Sequence, residues 1–264
     1  MLQRVLTSFV SLAIFFAVVF LGKTVFNIAV VVLIVGALWE LYRSMKLNKV
    51  LTALGFVSAA LLGVGIYLSA VQTAIIAVMA LFLISSVFLH GKTSFKDVYS
   101  TAFATFYIVF FMSAIIWLNN GFGIFMTLPI FVCAWMTDVG AYFGGYFFGK
   151  HKLIPHVSPK KTVEGAIGGV VSAVLSCLLY AFIIKTAFSV NTLGYASFAL
   201  LGVVSSVLSQ FGDLIASAIK RDCNIKDFGT IFPGHGGILD RFDSVVFIAP
   251  VVYYYIYFVI NYIA

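Results

Sequence analysis

Long, continuously apolar runs dominate this chain of 264 residues. A helix needs about 20 mostly apolar residues to cross the hydrocarbon core of a bilayer. Nine segments meet this requirement, at 5–22, 24–42, 51–70, 71–89, 98–118, 124–149, 163–184, 193–220 and 244–264. Because these runs do not alternate polar and apolar residues, they favour helices over the strands of a barrel. The sequence therefore predicts an all-α, polytopic integral membrane protein with about nine transmembrane helices.

The composition excludes several classes of protein. Hydrophobic residues make up 62% of the chain and charged residues only 9%, whereas soluble domains carry about 25% charged residues. Such a chain cannot cover a water-facing surface, which excludes a soluble enzyme, a disordered chain and a secreted disulfide scaffold. The net charge of +7 is typical of cytoplasmic loops in membrane proteins, so we expect a lipid bilayer and no nucleic acid as partner.

The distribution of charge predicts the orientation. If the N-terminus is cytoplasmic, all 16 Lys and Arg residues except Lys23 and Lys185 fall on the cytoplasmic side, as the positive-inside rule requires. The nine acidic residues and four histidines fall on that side as well. We therefore expect a multi-pass protein of the plasma or inner membrane, with its chemistry at the cytoplasmic face.

Polar residues are unequally distributed along the chain. Residues 1–125 predict a scaffold of transmembrane helices joined by short basic loops. Asp, Lys, His, Gly and Pro concentrate within 135–165 and 205–243. We therefore expect the C-terminal helices, residues 126–264, to carry the catalytic site.

A polar stripe ends the eighth predicted span. Ser209, Asp213, Ser217 and Lys220 lie within about 80° of arc on an otherwise apolar helix. A carboxylate in a membrane helix costs at least about 2.5 kcal/mol and normally faces a cavity or a partner. Two interpretations stay open: an ion pair of Asp213, with Lys220 or between helices, that only aids packing, or part of a polar site.

The loop after this span is rich in glycine, and two aspartates lie at the start of the ninth span. Gly234, Gly236 and Gly237 surround His235, which predicts either a phosphate-binding nest or an ordinary turn. Asp240 and Asp243 share one helical face. They are either first-turn acids favoured by the helix dipole or, with Asp213, oxygen ligands of the kind that Mg²⁺ prefers.

Together these positions resemble the signature of the phosphatidate cytidylyltransferase (CDP-diacylglycerol synthase) family. The matching residues are Ser217, Lys220, Arg221, Lys226, Asp227, Pro233, Gly234, His235, Gly236, Gly237, Asp240, Arg241 and Asp243. Two upstream segments resemble motifs of the same family, namely Asp138-x-x-Ala141-Tyr142-x-x-Gly145 and Ser158-Pro159-Lys160-Lys161-Thr162-x-Glu164-Gly165. The second segment has a plainer interpretation, a basic cytoplasmic loop followed by a helix N-cap.

The resemblance implies an activity: transfer of CMP from CTP to the phosphate of phosphatidic acid in the inner leaflet, giving CDP-diacylglycerol and pyrophosphate. It implies Mg²⁺ held by Asp213, Asp240 and Asp243, with a second metal ion or a monovalent cation as an option, and a homodimer. The expected catalytic residues are Asp213, Lys220, Arg221, Lys226, Asp227, His235, Asp240, Arg241 and Asp243. The expected substrate-binding residues are Asp138, Ser158, Lys160, Lys161, Thr162, Glu164, Ser217, Gly234, Gly236 and Gly237.

The alternative function is a membrane transporter of an anionic phosphocompound. A transport pathway needs polar residues on both sides of the membrane, and the predicted outer half has very few. The sequence therefore favours the enzyme.

Overall fold

A computed structural model describes residues 2–190, 193–232, 234 and 236–262, without the side chains of 2–6 and 8. The helices are α1 (Leu2–Phe20), α2 (Lys23–Ser44), α3 (Lys49–Tyr67), α4 (Val71–Phe88), α5 (Phe95–Phe122), α6 (Ile124–Phe148), α7 (Val163–Phe188), α8 (Tyr195–Asp222) and α9 (Leu239–Tyr262). Two short strands, β1 (Lys152–Ile154) and β2 (Ser158–Thr162), lie between α6 and α7. The predicted all-α polytopic fold is confirmed.

Eight helices within the described residues, α2 to α9, are long and apolar enough to cross a membrane. Within α1, the part whose side chains are described contains a shorter apolar helical stretch, Phe9–Phe20. The helix ends match the predicted spans within a few residues, except that α9 begins at Leu239 instead of 244. The difference arises because hydropathy detects the apolar part of a helix, whereas the polar first turn of α9 is held by side chains from elsewhere.

The segment between α6 and α7 is a β-hairpin, which the sequence did not predict. β1 and β2 pair antiparallel, with Lys152 opposite Thr162 and Ile154 opposite Ser158. An isolated two-stranded hairpin is marginally stable, but this one continues directly into α7, where Val163 N donates to His151 O at 2.9 Å. The hairpin therefore holds the basic segment at a fixed place beside the helix ends.

Glycines allow α6 and α7 to pack closely. A Cβ added to Gly168 of α7 would lie 2.8 Å from the carbonyl oxygen of Gly140 in α6. In the reverse direction, a Cβ on Gly140 would lie 2.5 Å from Gly168 O. Small residues at such positions let membrane helices approach backbone to backbone. The close contact fixes Asp138, two residues before Gly140, relative to the hairpin that precedes α7.

We expect Gly168→Val to destabilise the fold by about 2 kcal/mol, because overpacking a close contact costs roughly 1–3 kcal/mol. Gly63→Val in α3 is the matched control, since nothing lies within 4 Å of a Cβ added there. The measurement is the thermal unfolding midpoint of each variant in detergent. Equal midpoints for the two variants would contradict close packing of α6 and α7.

α5 and α9 are central to the bundle. α5 packs against α2, α3, α4, α6 and α9, and α9 also packs against α6 and α8. The C-terminal ends of α2, α6 and α8 and the N-terminal ends of α7 and α9 lie at the same end of the bundle, where Glu40 of α2 contacts the start of α9. The polar residues of the C-terminal half are therefore brought together at this end.

Candidate functional site

Three aspartates from three helices form a cluster at this end of the bundle. Asp138 of α6 and Asp243 of α9 each interact electrostatically with Asp213 of α8 and with each other. At 1.5 Å per residue, Asp138 lies about 15 Å inside the end of α6 and Asp243 about 6 Å inside α9. We call Asp138, Asp213 and Asp243 the aspartate cluster. Three carboxyl groups in such proximity carry their negative charge together only when cations lie nearby.

Three basic side chains surround the aspartate cluster. Lys161 Nζ in β2 lies 2.5 Å from Asp213 Oδ2 and donates to Gln210 O at 3.4 Å. Arg241 is within electrostatic range of Asp138, and Lys220 is within range of Asp243. The pair of Lys161 and Asp213 joins a strand to a helix, so it is neither of the two ion pairs considered for Asp213 from the sequence. The alternative pair of Asp213 with Lys220 is not formed, because Lys220 binds Asp240.

Asp240 does not join the aspartate cluster. Its Oδ1 accepts from Lys220 Nζ at 2.9 Å, and its Oδ2 accepts from Phe228 N at 2.8 Å and Gly237 N at 2.9 Å. The side chain is buried. Among the described residues, no group of three or more carboxylate, imidazole or thiol side chains is arranged to hold a metal ion. The predicted ligand set of Asp213, Asp240 and Asp243 is therefore not assembled, because Asp240 faces the loop before α9.

Glu40 of α2 is a polar residue that the sequence analysis missed. It is fully buried, its Oε1 accepts from Ile238 N and its Oε2 from Leu239 N, both at 2.9 Å. The carboxylate lies so close to Gly229 and Gly237 that a Cβ at either glycine would overlap it. The cost of a carboxylate inside an apolar helix is the signal that could have revealed it.

The glycine-rich loop before α9 is held mainly by the carboxylates of Glu40 and Asp240. Gly234 and Gly236 have φ values of +79° and +88°, in the region that favours glycine. The amides of Gly237, Ile238 and Leu239 donate to Asp240 and Glu40. These amides therefore stabilise the start of α9 instead of facing a phosphate, as a nest would require. The predictions for Pro233 and His235 lie outside the described residues.

The hairpin motif has two structural contacts that match the plainer interpretation. Thr162 Oγ1 accepts from Gly165 N at 3.1 Å and caps α7. Glu164 contacts His151 Nδ1 at 2.5 Å and accepts from Lys150 N at 3.0 Å. Both contacts fix the hairpin on the N-terminus of α7, so that β2 presents Lys161 to α8.

The remaining predicted residues lie around the same end of the bundle. Ser158 and Ser217 are half-buried, and the exposed residues are Lys160, Arg221, Lys226, Asp227 and Arg241. Of this set, Lys160, Arg221, Lys226 and Arg241 add positive charge at this end of the bundle, whereas the two serines and Asp227 do not.

The donor set of the aspartate cluster fits a divalent cation. Mg²⁺ is usually bound by one or two carboxylates together with substrate phosphates and water, a number of carboxylates that Asp213 and Asp243 would match. Asp138 is exposed although it lies within a membrane-spanning helix, where a charged group normally faces water or a partner. Carboxylate donors next to basic side chains are the chemistry that a cation and an anionic ligand require together.

The chain is similar to known proteins along nearly its whole length. A family model described as the cytidylyltransferase family matches residues 2–259. A phosphatidate cytidylyltransferase of Bacillus subtilis is 35% identical, covering 96% of this chain and 97% of that protein. A protein of the same name from Staphylococcus haemolyticus is 33% identical over 94% of this chain and 95% of its own length, and one from Thermotoga maritima is 37% identical over 60% and 59%. The chain belongs to the cytidylyltransferase family.

Proposed function

We propose that this protein transfers CMP from CTP to the phosphate of phosphatidic acid, giving CDP-diacylglycerol and pyrophosphate. An oxygen of the lipid phosphate forms a bond to the α-phosphorus of CTP, and the bond between the α-phosphorus and the oxygen bridging to the β-phosphate breaks. The observation that carries the proposal is the aspartate cluster with its surrounding cations at the ends of α6, α8 and α9. The names of the relatives agree with this reaction.

The position of the site suits two substrates of different solubility. Phosphatidic acid keeps its acyl chains in the bilayer and its phosphate at headgroup depth, while CTP is dissolved in water. The aspartate cluster lies inside the ends of membrane-crossing helices, where these two phosphates can meet. We propose that this end faces the cytoplasm and the inner leaflet of the plasma membrane, as the distribution of Lys and Arg favours.

Asp213 and Asp243 are the residues that we assign to a divalent cation, with Mg²⁺ as the expected ion. The ion would neutralise phosphate charge when bound. Asp240 is assigned a different role: it positions Lys220 and the loop amides. The lipid phosphate is already anionic, so the reaction needs no general base to activate it.

The basic side chains offset the repulsion between the two substrates. Bringing a triphosphate to a phosphomonoester requires charge neutralisation and accurate positioning, which supply most of the catalysis in such reactions. Lys161 is paired with Asp213, and we propose that it moves to the triphosphate when CTP binds. Arg241 and Lys220 lie beside the aspartate cluster and are assigned to the reacting phosphates.

Adjacent lysines of β2 give a matched test of this assignment. Lys161 contacts Asp213, whereas Lys160 is exposed. We expect Lys161→Ala to lower kcat/KM for CTP about a hundredfold, because it removes a positioned charge, and Lys160→Ala to lower it less than fivefold. Steady-state kinetics with varied CTP at saturating lipid measures both. Equal effects of the two substitutions would contradict the special role of Lys161.

The direct test of the proposed function uses purified protein in detergent with phosphatidic acid, CTP and Mg²⁺. The expected products are CDP-diacylglycerol, detected in the lipid extract, and pyrophosphate, detected in the aqueous phase. The competing transporter function is tested with sealed vesicles that contain the protein. Uptake of labelled CTP without release of pyrophosphate would contradict the enzymatic function and support the transporter.

A further inference from the structure

An apolar groove opens beside the aspartate cluster. It is a cavity of about 380 Å³, within the range of ligand pockets. Its walls come from four helices: five aromatic residues of α5 between Phe103 and Phe111, Ile75 of α4, Ile215 of α8 and Phe247 of α9. We call this cavity the α5 groove.

We infer that the α5 groove binds one acyl chain of the lipid substrate and that the Tyr107 hydroxyl donates a hydrogen bond to an oxygen of that lipid. The inference rests on the proposed function, because it assumes that the lipid is an anionic phospholipid whose phosphate reacts at the aspartate cluster. It names the place of the hydrocarbon chain and a specific polar contact beside it.

The groove begins where the reacting phosphate would lie. Phe247 follows Asp243 by four residues in α9, so the two side chains lie on one face and Phe247 is about 6 Å deeper in the bundle. Ile215 lies about 3 Å along α8 from Asp213, so it is at nearly the same depth of the bundle but on another face of that helix. From there the lining residues of α5 extend over about 12 Å of helix, from Phe103 to Phe111. A lipid with its phosphate at the aspartate cluster can therefore lay a chain along the groove.

Tyr107 supplies the polar end of the groove. Its side chain is only 7% exposed, and its hydroxyl has no hydrogen-bond partner among the described residues. The hydroxyl is within electrostatic range of Asp243. Buried tyrosine hydroxyls usually find a partner, and the rest of the lining is hydrocarbon. An oxygen of the lipid phosphate or of its ester linkage can supply the missing acceptor.

The side chains that line the α5 groove indicate which of the two substrates it binds. A cytosine ring or a triphosphate needs several polar contacts, and the α5 groove offers one hydroxyl among isoleucine and aromatic side chains. The groove also lies along helices that are apolar enough to cross the membrane. A hydrocarbon chain suits this surface, and the chain of the reacting lipid is the one held nearby by its own phosphate.

Narrowing the groove tests the chain assignment. Ile75 lines the groove, whereas its neighbour Ile76 is 69% exposed and lies outside the lining. We expect Ile75→Trp to lower at least tenfold the ratio of kcat/KM for dipalmitoyl phosphatidic acid to that for the dihexanoyl lipid. The control Ile76→Trp should keep the ratio of the unmodified protein. Kinetics in mixed micelles at saturating CTP measures the ratio.

The outcomes separate three cases. In an Ile75→Trp variant that keeps its thermal midpoint, an unchanged ratio would overturn the chain assignment, whether the rates with the two lipids are normal or equally reduced. Unmodified protein that forms no CDP-lipid would instead reject the proposed function itself. The thermal midpoint of each variant, measured in the same detergent, identifies a folding defect directly.

Tyr107→Phe tests the polar contact independently. Removing a buried hydroxyl that lacks a protein partner should leave the thermal midpoint unchanged or raise it. We expect KM for phosphatidic acid to rise about tenfold while KM for CTP stays the same. A purely structural role of the hydroxyl would instead lower the midpoint without this split between the two KM values. Unchanged KM for the lipid would overturn the assigned contact.

Discussion

Replacing Asp243 by asparagine is expected to lower the rate of CMP transfer by at least about a hundredfold. The substitution preserves the shape of the side chain, and its amide oxygen can still accept from Ser244 N, as the carboxylate does at 2.7 Å. It removes the negative charge that we assign to the cation beside the reacting phosphates, and a single electrostatic group at such a site contributes about 10²–10³ in rate. Initial rates over a series of Mg²⁺ concentrations measure the loss and the shift in half-saturation.

Two further aspartates make this test specific. Asp222→Asn, at the exposed end of α8, should keep the rate and the Mg²⁺ dependence of the unmodified protein. Asp240→Asn should lower the thermal midpoint, because Asp240 binds Lys220 and two backbone amides, while half-saturation by Mg²⁺ stays the same. A normal Mg²⁺ dependence in Asp243→Asn, or a shifted one in Asp240→Asn, would contradict our division between cation ligand and positioning residue.

Glu40→Ala is expected to destabilise the protein by about 3 kcal/mol and to abolish most activity. The substitution leaves the amides of Ile238 and Leu239 without acceptors in a buried place, and each unsatisfied donor costs about 1–3 kcal/mol. Since these amides lie at the start of α9, loss of their hydrogen bonds to Glu40 is also expected to displace Asp240 and Asp243. Thermal unfolding and CMP transfer, both in the same detergent, measure the two effects.

Glu40→Gln is the graded comparison for this prediction. Its single carbonyl oxygen can accept from one of the two amides, while its amino group faces the other, so we expect an intermediate loss of stability. Wild-type stability and activity in Glu40→Ala would show that the contact between α2 and the start of α9 is dispensable. Such a result would restrict the contribution of α2 to general packing.

Much of the fold follows from hydropathy because a bilayer leaves the backbone few alternatives. Long apolar runs were sufficient to predict the helices, and the concentration of acid in the C-terminal half indicated where polar residues would gather. The hairpin was missed because β1 has only three residues and β2 consists of one proline and four polar residues, which carry no alternating apolar pattern. Its position depends on contacts with α7 and α8 that no local pattern contains.

The site was only partly predictable for the same reason. Helical spacing places Asp240 and Asp243 on one face, but it does not reveal that Phe228 and Gly237 donate to Asp240. Asp138 was predicted to bind substrate, yet its proximity to Asp213 and Asp243 depends on the close packing of α6. Glu40 meets residues about two hundred positions later in the chain, a contact that local sequence does not encode.

The most direct test of the central claim follows two labelled forms of CTP in one reaction with purified protein, phosphatidic acid and Mg²⁺. We predict that label in the α-phosphate enters the lipid extract, that label in the γ-phosphate is released as pyrophosphate in equal amount, and that Asp243→Asn loses both signals together. Lipid labelled from the γ-phosphate, or equal transfer by Asp243→Asn, would contradict CMP transfer at the aspartate cluster.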